Sequence, residues 1–245
     1  MSKISFRKAL YSFFVVFTAV SFACNPIILA ADLPNPNDVT WVDGSGTINV
    51  NPATNTVDIT ANTMSPTINW GGSGLTVPTG ETLNYNQLVN DSVFTTIGSN
   101  GIPFRFDGTI NSFVNGSIGG YLWFINPAGI YMGSTSSINA AGILASTLNM
   151  ATAGNPSGLA WSFMRATDAN GNPLANGYVI NKGKIQVNDS GYAALIGGAV
   201  GNEGIIRAPL GKAILASGEK MTVQLDNAGI LSVVVDTPVT TKVYD

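Results

Sequence analysis

The chain has 245 residues, 45% hydrophobic and only 10% charged, with 28 glycines, one cysteine and no histidine. So few Lys, Glu and Arg cannot coat the outer faces of many amphipathic helices, whereas short β-segments punctuated by Gly and Asn fit this composition well. A lone cysteine excludes a disulfide framework, and the lack of histidine excludes Ser-His-Asp and Cys-His nucleophile systems and most zinc sites.

Taken in chain order, residues 1–31 stand apart. Lys3, Arg7 and Lys8 precede an apolar run from Ala9 to Ala23, and Leu29-Ala30-Ala31 supplies small residues for cleavage. That pattern predicts a secretory signal peptide, since the apolar core is shorter than the about 20 residues a transmembrane helix needs. A second reading stays open. Ser21-Phe22-Ala23-Cys24 loosely matches a lipoprotein cleavage box with Cys24 as the lipidated residue, although the usual Leu three residues before the Cys is missing. Removing residues 1–31 takes away Lys3, Arg7 and Lys8 and no acid, leaving 8 Lys+Arg against 14 Asp+Glu. An acidic mature chain of this kind argues against nucleic acid as a partner, because phosphate binding needs clustered Lys and Arg.

Alternation begins at once in the mature part. Thr47-Ile48-Asn49-Val50 and Thr56-Val57-Asp58-Ile59-Thr60 place apolar residues two apart around a turn at residues 51–55. Further strands are predicted at Thr67–Trp70, Leu75–Val77, Thr82–Tyr85, Phe104–Phe106 and Tyr121–Ile125. The best helical candidate is Ser157–Arg165, with helical spacing of Leu159, Phe163 and Met164, and the segment 154–178 can be a loop, a helix or an extra hairpin. The second half repeats a phrase Asn-x-Gly-x-Ile/Leu at Asn181, Asn202 and Asn227, with starts 21 and 25 residues apart. Such a period reads as a solenoid whose coils carry short strands, with Gly and Asn at the corners. Inward residues are expected to include Ile185, Val187, Leu195, Ile196, Val200, Ile206, Ile214, Leu215, Val223 and Leu225, with Asn stacked in a ladder at matching corners. An ordinary β-sandwich is the rival. Exposed backbone at a coil end leads one to expect a cover from early strands around residues 40–60.

Chemistry-bearing constellations are scarce. There is no phosphate loop ending in Gly-Lys-Ser/Thr, and neither Ser146 nor Ser217 sits in Gly-x-Ser-x-Gly. Asp168, Asp189, Asp226 and Asp236 are scattered, so they read as solvated turn residues rather than a glycosidase pair. The chain is therefore expected to have no catalytic residues, no metal and no cofactor. A carbohydrate-binding or carbohydrate-cleaving surface protein remains as the alternative function.

The most distinctive stretch is residues 120–150, GYLWFINPAGIYMGSTSSINAAGILASTLNM. Here the chain resembles the filamentous haemagglutinin family, specifically its N-terminal two-partner secretion domain. The matching residues are Ile125-Asn126-Pro127-Ala128-Gly129-Ile130, Gly133, Ile138-Asn139, and Gly142-Ile143-Leu144-Ala145-Ser146-Thr147-Leu148. The resemblance extends upstream to Ile68-Asn69-Trp70, Gly80–Tyr85 and Arg105. Downstream it takes in Val179–Ile185, Gly191–Gly197, Val200–Pro209 and Leu215–Gly218, spanning roughly residues 40–235. Ala128 stands where the family has a second Asn, and its other phrase, Asn-Pro-Asn-Leu, has no counterpart here.

That resemblance implies an all-β, right-handed parallel β-helix with an N-terminal β cap and extra-helical hairpins or loops. It implies a signal at 1–31, a secretion domain over 32–236, and the start of a following repeat or linker at 237–245, where Thr240–Asp245 resembles the opening of a β-rich adhesin repeat. The implied role is secretion targeting for a large exported adhesin. A dedicated outer-membrane β-barrel transporter would recognise the turn Asn126, Pro127, Ala128, Gly129 and Ile130, with Arg105, Gly142, Ser146 and Thr147 as further family-matching positions. The product would be a monomer secreted or held at the cell surface, meeting a host or surface receptor through downstream sequence.

Overall fold

The computed structural model describes residues 33–151, 160–225 and 231–240. The signal segment, Cys24, Ser157–Leu159, Asp226, the third repeat phrase at Asn227 and the final residues 241–245 lie outside them.

After a 3-10 turn at Pro36–Asp38, two strands precede the coils: β1 (Val39–Asp43) and β2 (Gly46–Asn51). The first coil is β3 (Thr56–Ala61), β4 (Thr67–Trp70) and β5 (Thr76–Val77). The second is β6 (Thr82–Gln87), β7 (Val93–Gly98) and β8 (Phe104–Phe106). The third is β9 (Thr109–Val114), a short hairpin partner β10 (Ser117–Ile118), β11 (Tyr121–Ile125) and β12 (Ile130–Met132). The fourth runs β13 (Ser137–Ala140) and β14 (Gly142–Ser146), leaves through β15 (Asn149–Ala151) and β16 (Ala160–Met164), and returns at β17 (Tyr178–Asn181). The fifth is β18 (Lys184–Val187), β19 (Tyr192–Gly197) and β20 (Ala199–Asn202). The sixth gives β21 (Ile205–Arg207) and β22 (Lys212–Ser217), then departs through β23 (Lys220–Leu225) and β24 (Leu231–Thr237).

Corresponding strands of successive coils pair in parallel, which defines three faces. Face A runs β4-β7-β11-β14-β19-β22, face B runs β3-β6-β9-β13-β18-β21, and face C runs β5-β8-β12-β17-β20. A parallel ladder on three faces of one winding chain is a parallel β-helix, so the sandwich reading is overturned. At the N-terminal end β1 closes face A and β2 closes face B, each antiparallel to its neighbour. This is the expected cover. Asp38 pins it, because its carboxylate accepts from Ser73 N at 3.0 Å and Ser73 Oγ at 2.7 Å. Those bonds hold the Asp38 carboxyl below its ordinary pKa.

Burial explains the sequence patterns. Face B strands show strict alternation because one side meets the core and the other water, as in β3, β6 and β9. Face A strands β11, β14 and β19 are almost wholly buried, and they read as unbroken apolar runs. Their outer side is covered by a fourth, antiparallel sheet of order β15-β16-β23-β24. Two cores result. Inside the coil, Trp70, Tyr85, Phe94, Phe104, Phe106 and Phe124 fill the first three coils, with Tyr85 and Phe94 edge-to-face at 4.8 Å. Smaller residues such as Ile138, Ala145, Val179 and Leu195 fill the later ones. Outside, Trp123, Leu144, Tyr192, Phe163, Met221 and Val223 form a second core under the fourth sheet. Burying each large side chain stabilises by roughly 1.5–3 kcal/mol.

Three expectations are corrected. The segment predicted as a helix is strand β16 where it is described, because Trp161 and Phe163, two apart, both face the outer core. Of the expected inward residues, Ile185, Val187 and Leu195 are in the coil core, and Val200 and Ile206 pack against it. Ile196, Ile214, Val223 and Leu225 instead face the second core, and Leu215, on the last coil, is 47% exposed. The main Asn ladder stands on the strands of face B rather than at corners. Asn84 Nδ2 donates to Asp58 Oδ1 at 2.8 Å, Asn111 to Asn84 at 3.0 Å and Asn139 to Asn111 at 2.9 Å. One corner pair does exist, Asn181 Nδ2 to Asn202 Oδ1 at 2.7 Å.

Candidate functional site

The turn Asn126–Gly129 joins β11 to β12 at the corner between faces A and C. Proline presets its φ, and Gly129 takes φ +130°, which L side chains rarely adopt. Asn126 is the keystone. Its Oδ1 accepts from Ala128 N at 3.0 Å, and its Nδ2 donates to Ile102 O at 2.9 Å in the coil before. Its backbone N–H donates to Ser146 O at 2.9 Å in the coil after, and its own carbonyl accepts from Gly129 N at 3.0 Å. Asn126 is thus 99% buried with both amide groups engaged, while Pro127 and Ala128 remain half-buried.

Ser146 and Thr147 belong to the same corner one coil later. Ser146 Oγ donates to Leu148 O and accepts from Leu148 N, at 2.9 and 3.0 Å. Thr147 Oγ1 donates to Gly177 O at 3.3 Å and accepts from Gly198 N at 3.2 Å. Gly177 is where the returning chain crosses the turn. A Cβ there would lie 2.4 Å from Pro127 O and 3.1 Å from Gly129 N, so only glycine permits the crossing. Gly98 is needed likewise, since its Cβ would meet the Asn126 amide at 2.5 Å.

Arg105 and Gly142 stand elsewhere. Arg105 is on the outer side of face C, 58% exposed, 3.5 Å from Asp107 and with its guanidinium 4.8 Å from the Tyr131 ring centre. Gly142 begins β14 on face A. Tyr121 and Tyr192, from the coils on either side, stack across it at 5.2 Å and 8°, and a Cβ would lie 2.7 Å from the Tyr121 ring. Trp123 Nε1 donates to the buried Tyr192 hydroxyl at 2.8 Å, and burial pushes that hydroxyl's pKa well up. The structure therefore gathers Asn126–Ile130, Ser146 and Thr147 at one corner, with Arg105 just beyond it beside Tyr131 and Gly142 at the far end of β14.

Beside the turn lies an open cleft of about 560 Å³. Asn126, Pro127 and Ala128 form one side with Ile97, Gly98, Ser99 and Gly101, and the opposite wall is Ala166, Thr167, Leu174 and Ala175. No charged residue lines it. Sequence reasoning missed this wall and Gly177. Their one signal is a glycine after a long insertion between two matching phrases.

Among the described residues the scattered acids do not converge. Asp168 closes a loop through Asn170 N and Asn172 N at 2.8 and 2.9 Å, Asp189 sits by the corner before β19, and Asp236 on β24 accepts from Thr222 Oγ1. Among the described residues no group of three or more His, Cys, Asp or Glu is placed to hold a metal.

The described residues thus form a parallel β-helix with a capped N-terminal end, an external four-stranded sheet and an Asn-Pro-x-Gly corner. The chain is similar to the HMW1 secretion domain from Haemophilus influenzae, with TM-score 0.69 and 26% identity over 83% of this chain. The matched part spans 49% of that solved chain, about half its length. No family model matches the chain, and no curated protein does. The likeness to two-partner secretion domains read from the sequence is thus borne out in three dimensions.

Proposed function

We propose that this chain is the secretion-targeting part of a larger exported adhesin, recognised through the Asn126–Ile130 segment by a cognate outer-membrane β-barrel transporter. The observation that carries this reading is the corner itself, an Asn-Pro-x-Gly turn built into a β-helix that superposes on a secretion domain. Asn126 supports recognition before folding. In the coil its amide groups are all spent on Ile102, Ala128, Ser146 and Gly129, so only an unfolded segment offers them to a partner. Residues 1–31 would direct passage across the inner membrane and be removed there. Mass spectrometry of the mature N-terminus decides between cleavage near Ala30 and a lipidated Cys24.

The sixth coil supports a second duty. Leu195 is fully buried, yet its register partner Leu215 is 47% exposed, since among the described residues no coil lies over it. Such a face templates further coils, as the end of any solenoid does. Folding outside the cell would then make export one-way, since a folded coil cannot slide back.

The test is secretion of the full chain when co-expressed with the transporter encoded beside it. Deletion of Asn126–Ile130 is expected to abolish appearance in the medium or on the surface. Undiminished export of that deletion would end the recognition reading.

A further inference from the structure

The wall of the cleft is a hairpin without a core of its own. Leu174 N donates to Ala166 O at 2.8 Å, Thr167 bridges Pro173, and Asp168 closes the tip. Leu174, its one large apolar residue, is 42% exposed. These bonds shape the hairpin, and Gly177 holds its returning end at the turn with the fourth coil, but neither fixes its leading end.

Arg165 fixes the leading end. Its Nε donates to Leu174 O at 2.7 Å, and its Nη1 lies 3.1 Å from Glu219 Oε1. Its backbone N–H also donates to Glu219 O at 2.8 Å. Glu219 follows the sixth coil, between β22 and β23, and is itself fixed by donating N–H to Thr237 O at 2.8 Å. Among the three ion pairs of the described residues, this is the one with both side chains mostly buried, 23% and 22% exposed. A charge-assisted bond in such a setting is roughly twice as strong as a neutral one.

We infer that Arg165 is a positioning residue that makes closure of the cleft conditional on the sixth coil: the 166–175 wall stands against the Asn126–Gly129 turn only once Glu219 has arrived. Chain order gives this a direction. The turn belongs to the third coil and the hairpin to the fourth, but the anchor comes after the sixth. While the first five coils form, the cleft side of the turn stays open. When the sixth lands, Arg165 draws the wall in. Resting on the transporter reading above, this makes completion of the sixth coil the step that ends access to Pro127 and Ala128, the half-buried part of the turn that Asn126 leaves open once its own bonds have formed, and frees the domain.

The experiment places a thiol at the turn, Ala128→Cys, in the full chain with its native thiol removed by Cys24→Ser, and measures its labelling by a maleimide. Adding Glu219→Gln, or separately Arg165→Met, is expected to speed labelling about tenfold, with Arg165→Lys in between because it keeps the charge and loses one of the two donors. The near-ultraviolet circular dichroism of Trp123 and Trp161, whose rings meet edge-to-face at 5.0 Å, is expected to stay unchanged. Equal labelling rates in all variants overturn the coupling. Collapse of the tryptophan signal in both Glu219→Gln and Arg165→Met also overturns it, since the whole outer sheet would then have come away. Secretion of the same variants is read separately. Faster labelling with undiminished secretion keeps the coupled wall but removes the release step, whereas failure of the recognition reading shows as normal export of the Asn126–Ile130 deletion.

Discussion

Asn126 ties its turn to the coils on both sides, and its side chain carries a measurable share of the fold's stability. Asn126→Ala removes the side-chain partner of Ala128 N–H and Ile102 C=O in a part-buried corner. The expected loss is about 1–3 kcal/mol, read as a lower midpoint in urea unfolding with an unchanged slope. The tyrosines are the other informative single residues. Tyr85 is buried in the coil with its hydroxyl 3.1 Å from Thr96 Oγ1, and burial pushes its pKa far up, as it does for Tyr192. A group raised by folding contributes stability that is full below its ordinary value of about 10 and is lost as pH rises beyond it. The domain is therefore expected to unfold in alkali, with the Tyr85→Phe midpoint moved to higher pH when ellipticity is followed against pH. An unmoved midpoint would show that Tyr85 does not set the alkaline limit.

At the level of elements, the coil strands were legible because their environments are simple. Face B alternates since one side is wet, and face A runs apolar since both sides are dry. The asparagine phrases were legible as a period but not as a ladder, because whether Asn84 meets Asp58 depends on register 26 residues away. The outer sheet was not legible. Its strands β15, β16 and β23 pair across long sequence gaps, and the Phe163–Met164 pair mimics helical spacing when its partner strand is unknown. The candidate corner was legible as a phrase, whereas its covering glycine, Gly177, and the Arg165–Glu219 anchor lie where no local pattern signals them. The ladder yields a prediction of its own. Asn84→Asp would face the Asp58 carboxylate across a 2.8 Å contact. Two carboxylates that close cannot both ionise, so the variant is expected to be less stable than the parent at neutral pH and to regain most of the loss near pH 4. Thermal unfolding at the two pH values measures it, and an equal deficit at both would show that the pair does not feel its charge.

For the whole molecule, the two ends differ in kind. The N-terminal end is sealed by antiparallel β1 and β2, with Trp41 against Phe94 at 6.0 Å. The sixth coil instead leaves Leu210 88% and Leu215 47% exposed. Truncating matched residues should register the difference. Leu195→Ala is expected to cost about 2–5 kcal/mol, while Leu215→Ala in this 245-residue chain costs under about 1, both by chemical denaturation. Equal costs would mean that the last coil is already covered. If a longer chain stacks on it, Leu215→Ala becomes as costly there as Leu195→Ala is here.

The face B ladder has one more property. Each asparagine points its N–H toward the preceding rung, the oxygens of Asn84 and Asn111 accept from the next, and the first N–H meets the negative Asp58. The row is a line of aligned dipoles with an anion at its positive end, the arrangement that a capping carboxylate gives a helix. An amide can be turned either way, but here Asp58 accepts only, so Asn84 has one choice, then Asn111, then Asn139. The orientation is decided once, at the first rung, and copied outward, which gives the coil a polarity running from its capped end toward its last rung.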